Sequence, residues 1–297
     1  MSAITEAPSA YRHSSIRPGP IGLVQEAIRE VSSRRRLIQY LVQADLKKKG
    51  SDTLLGNLWW VIDPLLQMLV YVVLVSVIFV RTTPDYPLFV FAAILPWKWF
   101  TSSIGDAITS VVSQDKLIKQ IQFPKIVLPF AAVYSGIANF AFGMIPLGIL
   151  LILFYRDRLT LNLLFIAPIA GVQFVFTLAL GFMVSAINVF FRDLGNVARH
   201  VLRLWFYLSP GLYSMALLEH SALFEKSPTL TTLVSLNPFA ILFTAYRTVI
   251  YGTDVPQTPP AAPDWAALGL LLGGSLVLLA LTTLVFKRLE PSFAKVL

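Results

Sequence analysis

Residues 126–154 read IVLPFAAVYSGIANFAFGMIPLGILLILF and hold no Asp, Glu, Lys or Arg. About 20 apolar residues in a helix span the roughly 30 Å of hydrocarbon in a bilayer. Working outward, 161–190 and 265–286 are equally free of charge, and 59–80, 87–113 and 201–218 are further apolar stretches. The pattern predicts an all-α, polytopic membrane protein with six crossings.

The basic residues sort to one side of these crossings. With the N-terminus in the cytoplasm, 18 of the 24 Lys and Arg fall on the inside. They lie in residues 1–58, in the second–third connection, in the fourth–fifth connection with the start of the fifth crossing (Arg192, Arg199 and Arg203), and in the tail. Such a bias predicts that both termini are cytoplasmic. The net charge of +8 is therefore mainly a topology signal, and nucleic acid is not an expected partner. The 297 residues leave room for one membrane domain and no further folded domain of ordinary size. With no cysteine there are no disulfides or thiolate metal sites, and the three histidines lack ligand spacing. No G-x-x-x-x-G-K-[ST] loop is present, so the chain is not expected to be its own ATPase of that type.

The connections carry the expected functional segments. Residues 1–33 read as a disordered tail, polar and Pro-containing. Residues 34–49, RRRLIQYLVQADLKKK, put Leu37, Tyr40, Leu41 and Ala44 on one helical face, with basic clusters at both ends. An interface helix is predicted, with Arg34, Arg35, Arg36, Lys47, Lys48 and Lys49 at lipid or substrate phosphates. Trp59 and Trp60 mark the first interface. Asp63 follows and either reaches the headgroups or caps or pairs at the turn before Pro64. The second crossing contains Pro96, Lys98 and Asp106. The two charges are eight residues apart, so they project from roughly the same side. Ionisable groups at this depth face protein or a water-filled path. A mutual ion pair and a place in a substrate path are both open readings. Trp97, Trp99 and Phe100 beside Lys98 suit sugar stacking as well as plain packing.

The connection 115–125, DKLIKQIQFPK, is a short helix ended by Pro124. It cannot fold alone, so its patch of Leu117, Ile118 and Ile121 must dock on a membrane or another protein. Between the fifth and sixth crossings, 219–250 is broken around Pro228 and Asn237-Pro238. It predicts short outer helices, re-entrant or interfacial. Gly269 and Gly273 form a G-x-x-x-G, explained equally by packing within one subunit and by dimerisation.

These features resemble, in this order, the Wzm-like permease subunits of ABC polysaccharide exporters, a family handling O-antigen, teichoic acid, capsule and cell-wall galactan. The residues that carry the resemblance are Leu55-Gly56, Leu58-Trp59 and Pro64-Leu65-Leu66 at the first crossing, then Leu95-Pro96-Trp97. Next come Leu117-Ile118-Lys119, Phe123-Pro124-Lys125 and Leu128-Pro129. Asn188-Val189-Phe190-Phe191-Arg192-Asp193, Leu236-Asn237-Pro238-Phe239 and Tyr246-Arg247 complete the set. The likeness spans 34–290, with 291–297 a cytoplasmic tail.

The resemblance implies that Asp115, Lys116, Leu117, Ile118, Lys119, Gln120, Phe123, Pro124 and Lys125 form a coupling helix for a separate ATPase. It implies that 219–250 forms outer gate helices. It also implies a homodimer of permeases with two ATP-binding-cassette subunits, in a bacterial inner membrane. ATP and Mg would bind the partner, and this chain would hold no cofactor and perform no catalysis. The cargo would be a polyprenyl-pyrophosphate-linked glycan passing Trp97, Lys98, Trp99, Phe100 and Asp106. Two rivals remain: an ABC exporter permease for a drug or small lipid, and an integral membrane transferase. Against the latter, the outer carboxylates Asp85, Glu219 and Glu225 are sparse.

Overall fold

The computed structural model describes residues 19–50, 55–78, 83–215, 229, 234–254 and 257–297. Two helices precede the first crossing, α1 (Pro20–Ser33) and α2 (Arg35–Gly50). Then come α3 (Trp59–Val72), which continues in π-helical turns over Val73–Ile78, and α4 (Tyr86–Ser110). The short α5 (Asp115–Gln120) leads into α6 (Val127–Phe154). α7 (Ile166–Phe190) and α8 (Leu194–Leu208) follow, then α9 (Pro238–Ile250) and α10 (Trp265–Val296). Among the described residues the strands are limited to the two-residue pairs Thr253–Asp254 and Gln257–Thr258.

Among the described residues five helices are long and apolar enough to cross a membrane: Trp59–Ser76, Tyr86–Ser110, Val127–Phe154, Leu161–Phe190 and Trp265–Val296. The chain is thus an all-α, multi-pass membrane protein. The expected crossing at 201–218 takes a different form. α8 stops at Leu208 because Ser209, ahead of Pro210, is extended (φ −93°, ψ 151°), as a residue before proline tends to be. The chain nevertheless runs the length of α4. Gly195 sits against Ile108, Phe206 lies 5.3 Å from Trp97, and Tyr86 Oη donates to the Leu212 carbonyl. Of the expected gate segment, 219–228 and 230–233 lie outside the described residues, and Pro238–Ile250 is a helix.

α4 is the axis of the bundle. Residues 88–97 are buried without interruption, and α3, α6, α7, α8 and α9 all pack on the helix. Its start is left-handed at Asp85 (φ 49°), a conformation Asp tolerates better than most residues. Asp85 also faces the buried Arg158, whose guanidinium donates to the carbonyls of Tyr251 and Thr258. α10 begins with Asp264 capping the amides of Ala266 and Ala267.

The boundary expected at residue 33 falls elsewhere, because Pro20–Ser33 is helical. Pro20 at the first helical position costs no hydrogen bond and arrives with a helical φ. Ala27 and Val31 then pack against the cluster containing Phe286 and Phe293. Glu26 and Glu30 reach Lys287 of α10 at 3.0 and 2.9 Å. α1, α5 and the end of α10 therefore share one end of the bundle. Gly269 and Gly273 have nothing within 4 Å of where a Cβ would stand, so they make no close packing among the described residues.

Candidate functional site

The expected path residues all sit on α4, and Pro96 shapes their surroundings. A proline inside a helix removes a backbone donor and disturbs the local ladder. Here the Gln173 amide donates to the Pro96 carbonyl at 2.7 Å. The aromatics that follow are core residues. Trp97 packs on Phe239 at 4.6 Å and Phe206 at 5.3 Å, Phe100 on Phe239 at 4.6 Å, and Trp99 stacks on Phe140 at 4.8 Å. Trp97 and Trp99 each line a cavity described below. Phe100 lines neither cavity.

The two charges of α4 turn to different neighbours. Lys98 pairs with Asp63 of α3. Asp106 accepts from Lys49 of α2 at 2.6 Å, and Lys49 also reaches Asp45 at 2.8 Å. Asp45 in turn accepts from Ser135 of α6 at 2.7 Å. Burial opposes the charge on Lys49, but the carboxylates of Asp106 and Asp45 outweigh it and hold its pKa above the ordinary lysine value. Of the basic interface residues, Arg34, Arg35, Arg36, Lys47 and Lys48 are exposed, while Lys49 is drawn inward by these carboxylates.

Two cavities open beside α3. The smaller, about 380 Å³, is lined by Lys49, Trp59, Trp60, Asp63, Lys98, Trp99, Ser102, Asn139 and Phe140, among others. Both of its ammonium groups already face carboxylates. Two of its wall residues, Trp99 and Asn139, carry buried atoms (Nε1 and Oδ1) without a hydrogen-bond partner. The larger, about 540 Å³, lies between α3, α4 and α8. Its wall includes Gln67, Tyr71, Trp97, Thr101, Thr109, Arg199, Arg203 and Tyr207, and no Asp or Glu. In the sequence Arg199 and Arg203 count only toward the positive-inside bias. Their spacing of four residues on one helical face was the available signal.

The third feature is α5. Ile118 is buried with Ala27, Phe123, Phe286 and Phe293, so the helix is anchored to α1 and α10 as well as to its own connection. Lys119 Nζ donates to the Leu297 carbonyl at 2.7 Å, and the Lys125 amide to Glu290 at 2.6 Å. Lys116, Gln120, Ile121 and Gln122 face outward, and Ile121 is 55% exposed. Asp115 Oδ1 accepts from the Lys116 amide, Leu117 is half-buried, and Phe123 and Pro124 are buried. The anchored, partly apolar outer face is a platform of the kind a separate protein would need.

No protein-family model matches the chain. It is 33% identical over 268 residues to the O-antigen export system permease protein RfbA of Myxococcus xanthus, covering 90% of this chain and 98% of that one. Two proteins of the same name from Klebsiella pneumoniae are 26% and 25% identical over 262 residues, covering 88% of this chain and 95% of theirs. The chain belongs to the O-antigen export permease family.

Within this permease, two of the motifs that carried the resemblance serve to hold the bundle together. Asn237 caps α9 by accepting from the Phe239 amide, accepts from Trp205 Nε1, and donates to Ser209 Oγ. It thereby fixes the break after α8. Arg247 is buried and donates to the carbonyls of Phe89, Pro210 and Gly211, with its guanidinium 3.6 Å from the Phe89 ring. It holds the 210–213 turn against α4. A buried arginine satisfied by carbonyls in this way secures the packing of the permease and is not free to meet cargo.

Proposed function

We propose that this permease is the membrane subunit of an ABC exporter that moves a polyprenyl-pyrophosphate-linked polysaccharide across the bacterial inner membrane, from the cytoplasm to the outer face. Two copies work with two ATPase subunits, which bind ATP and Mg. The observation that carries the reading is α5. It is a short helix anchored by Ile118 and presenting Lys116, Gln120 and Ile121, at the turn that joins the central helix α4 to α6. Closure of the ATPase pair would push on α5 and so on both helices at once, coupling two states of one assembly.

The proposed orientation is supported by the same end of the bundle. α1 and the end of α10 meet there, which favours an even number of crossings between them. Five long helices among the described residues, with the broken run along α4 from Gly195 to Leu212 as a further crossing, would give six. The positive-inside bias puts this end in the cytoplasm, where α5 meets the ATPase.

The test is co-purification of the ATPase subunit with tagged permease from its own cells. Ile121→Asp, on an exposed position, should leave the permease folded and release the ATPase. Retention of the ATPase and of export by this variant would remove the coupling role from α5.

A further inference from the structure

We propose that Arg199 and Arg203 form an anion site in the larger cavity, holding the phosphate of the lipid-linked substrate while its first sugars lie against Trp97 and Tyr207. This rests on the exporter reading and assigns the substrate contact within it.

Four observations carry the assignment. The two arginines are one turn apart on α8, about 6 Å along the axis, and both line the same cavity of about 540 Å³. Among the described residues neither forms an ion pair; Arg199 Nη2 donates to the neutral Asn196 amide oxygen. Among the described residues no carboxylate lines the cavity, so its positive charge has no counter-charge in the wall. And α8 is part of the run that follows α4 from end to end, where an unpaired guanidinium is costly unless it faces a wet cavity or an anion.

The other basic groups suit this role less well. Lys49 and Lys98 in the smaller cavity are each neutralised by aspartates. Arg34–Arg36, Lys47 and Lys48 line neither cavity; they are exposed, as Arg199 and Arg203 also are, but they have no cavity wall beside them. They can attract an anionic lipid but have no walls with which to select one. The larger cavity adds what a phosphosugar needs beyond charge. Guanidinium forks match phosphate oxygens, the hydroxyl of Thr101 and the amide of Gln67 can bond sugar hydroxyls, and Tyr207 with the small exposed part of Trp97 gives the wall an aromatic surface. Arg203 and Tyr207 are also one turn apart, so phosphate and sugar can be held together.

The experiment uses the purified full chain in phosphatidylcholine nanodiscs, with polyprenyl monophosphate as the probe and native mass spectrometry to count bound lipid. The wild-type protein should retain the probe. Arg199→Gln/Arg203→Gln should weaken retention by at least about tenfold, as expected for losing charge-assisted bonds. Lys47→Gln/Lys48→Gln should change it little, and Arg199→Lys/Arg203→Lys should restore part of it. Equal retention by the Gln variant overturns the site. So does complete displacement by phosphatidylglycerol, which would mark a general lipid-headgroup site. Dissociation of a permease pair in the Gln variant with retention unchanged would assign the arginines to a second copy and also overturn it. Binding is read without transport, so a failure of the export reading in cells would leave this result standing.

Discussion

Lys98 and Asp106 stand eight residues apart on one helix, and each finds its partner elsewhere. Their depth in an apolar segment made the charges visible in the sequence. Their partners were not visible, because Asp63 and Lys49 arrive from other helices and only the folded bundle sets the pairing. Double-mutant cycles should separate the alternatives. Lys49→Met with Asp106→Asn should give a coupling of about 1–3 kcal/mol, and Lys98→Met with Asp106→Asn should be additive within about 0.5 kcal/mol. Thermal unfolding in one detergent measures both, and strong coupling of Lys98 to Asp106 would contradict the observed pairing. The aromatics teach a related lesson. Trp97, Trp99 and Phe100 were legible as a cluster, but whether a ring packs or binds depends on neighbours such as Phe239 and Phe140, which lie far away in sequence.

At the scale of elements, the α4–α6 seam joins the two helices flanking α5. A Cβ at Gly136 would stand 2.0 Å from Ser103 Oγ and 3.0 Å from the Trp99 ring. Both Ser103 Oγ and Trp99 Nε1 are buried without partners. Gly136→Ala should therefore cost about 1–3 kcal/mol by overpacking. Adding Ser103→Ala should recover part of that loss, with melting temperature as the readout.

α5 makes a second contrast. Ile118 and Phe123 face the core, while Ile121 faces out, although all three look alike as apolar residues in a short basic segment. Phe123→Asp should lower the melting temperature sharply, whereas Ile121→Asp should not.

α1 adds a pH dependence. Burial raises the Glu30 pKa from 4.5 to about 7, against the opposing pull of Lys287. The folded state then holds a proton that the unfolded state releases between those values. Docking of α1 is strongest below pH 4.5 and weakens as pH rises through about 7. Hydrogen exchange of α1 amides, corrected for intrinsic rates, should speed up over that window in wild type and stay flat in Glu30→Gln.

For the whole molecule, the long uncharged stretches announced their helices. α6 and α7 fall within a few residues of the expected 126–154 and 161–190. α10 starts at the expected Trp265 but runs on to Val296, past Lys287 and Glu290, because those charges are paired with each other and Lys287 also with α1. The run beside α4 was harder to place. Its helix starts among charges at Leu194 and ends at Leu208 ahead of Pro210, so hydropathy alone shifted it toward 201–218. α1 was missed because its buried stripe is narrow and its leading prolines read as a tail, although Pro20 is a helix start.

Export of a lipid-linked polysaccharide is the function proposed for this permease. It is tested most directly by depleting the protein in its own cell and extracting polyprenyl-linked glycans. The account predicts build-up of a full-length lipid-linked polymer on the cytoplasmic side of the membrane. Unchanged levels of lipid-linked glycan after depletion would contradict it.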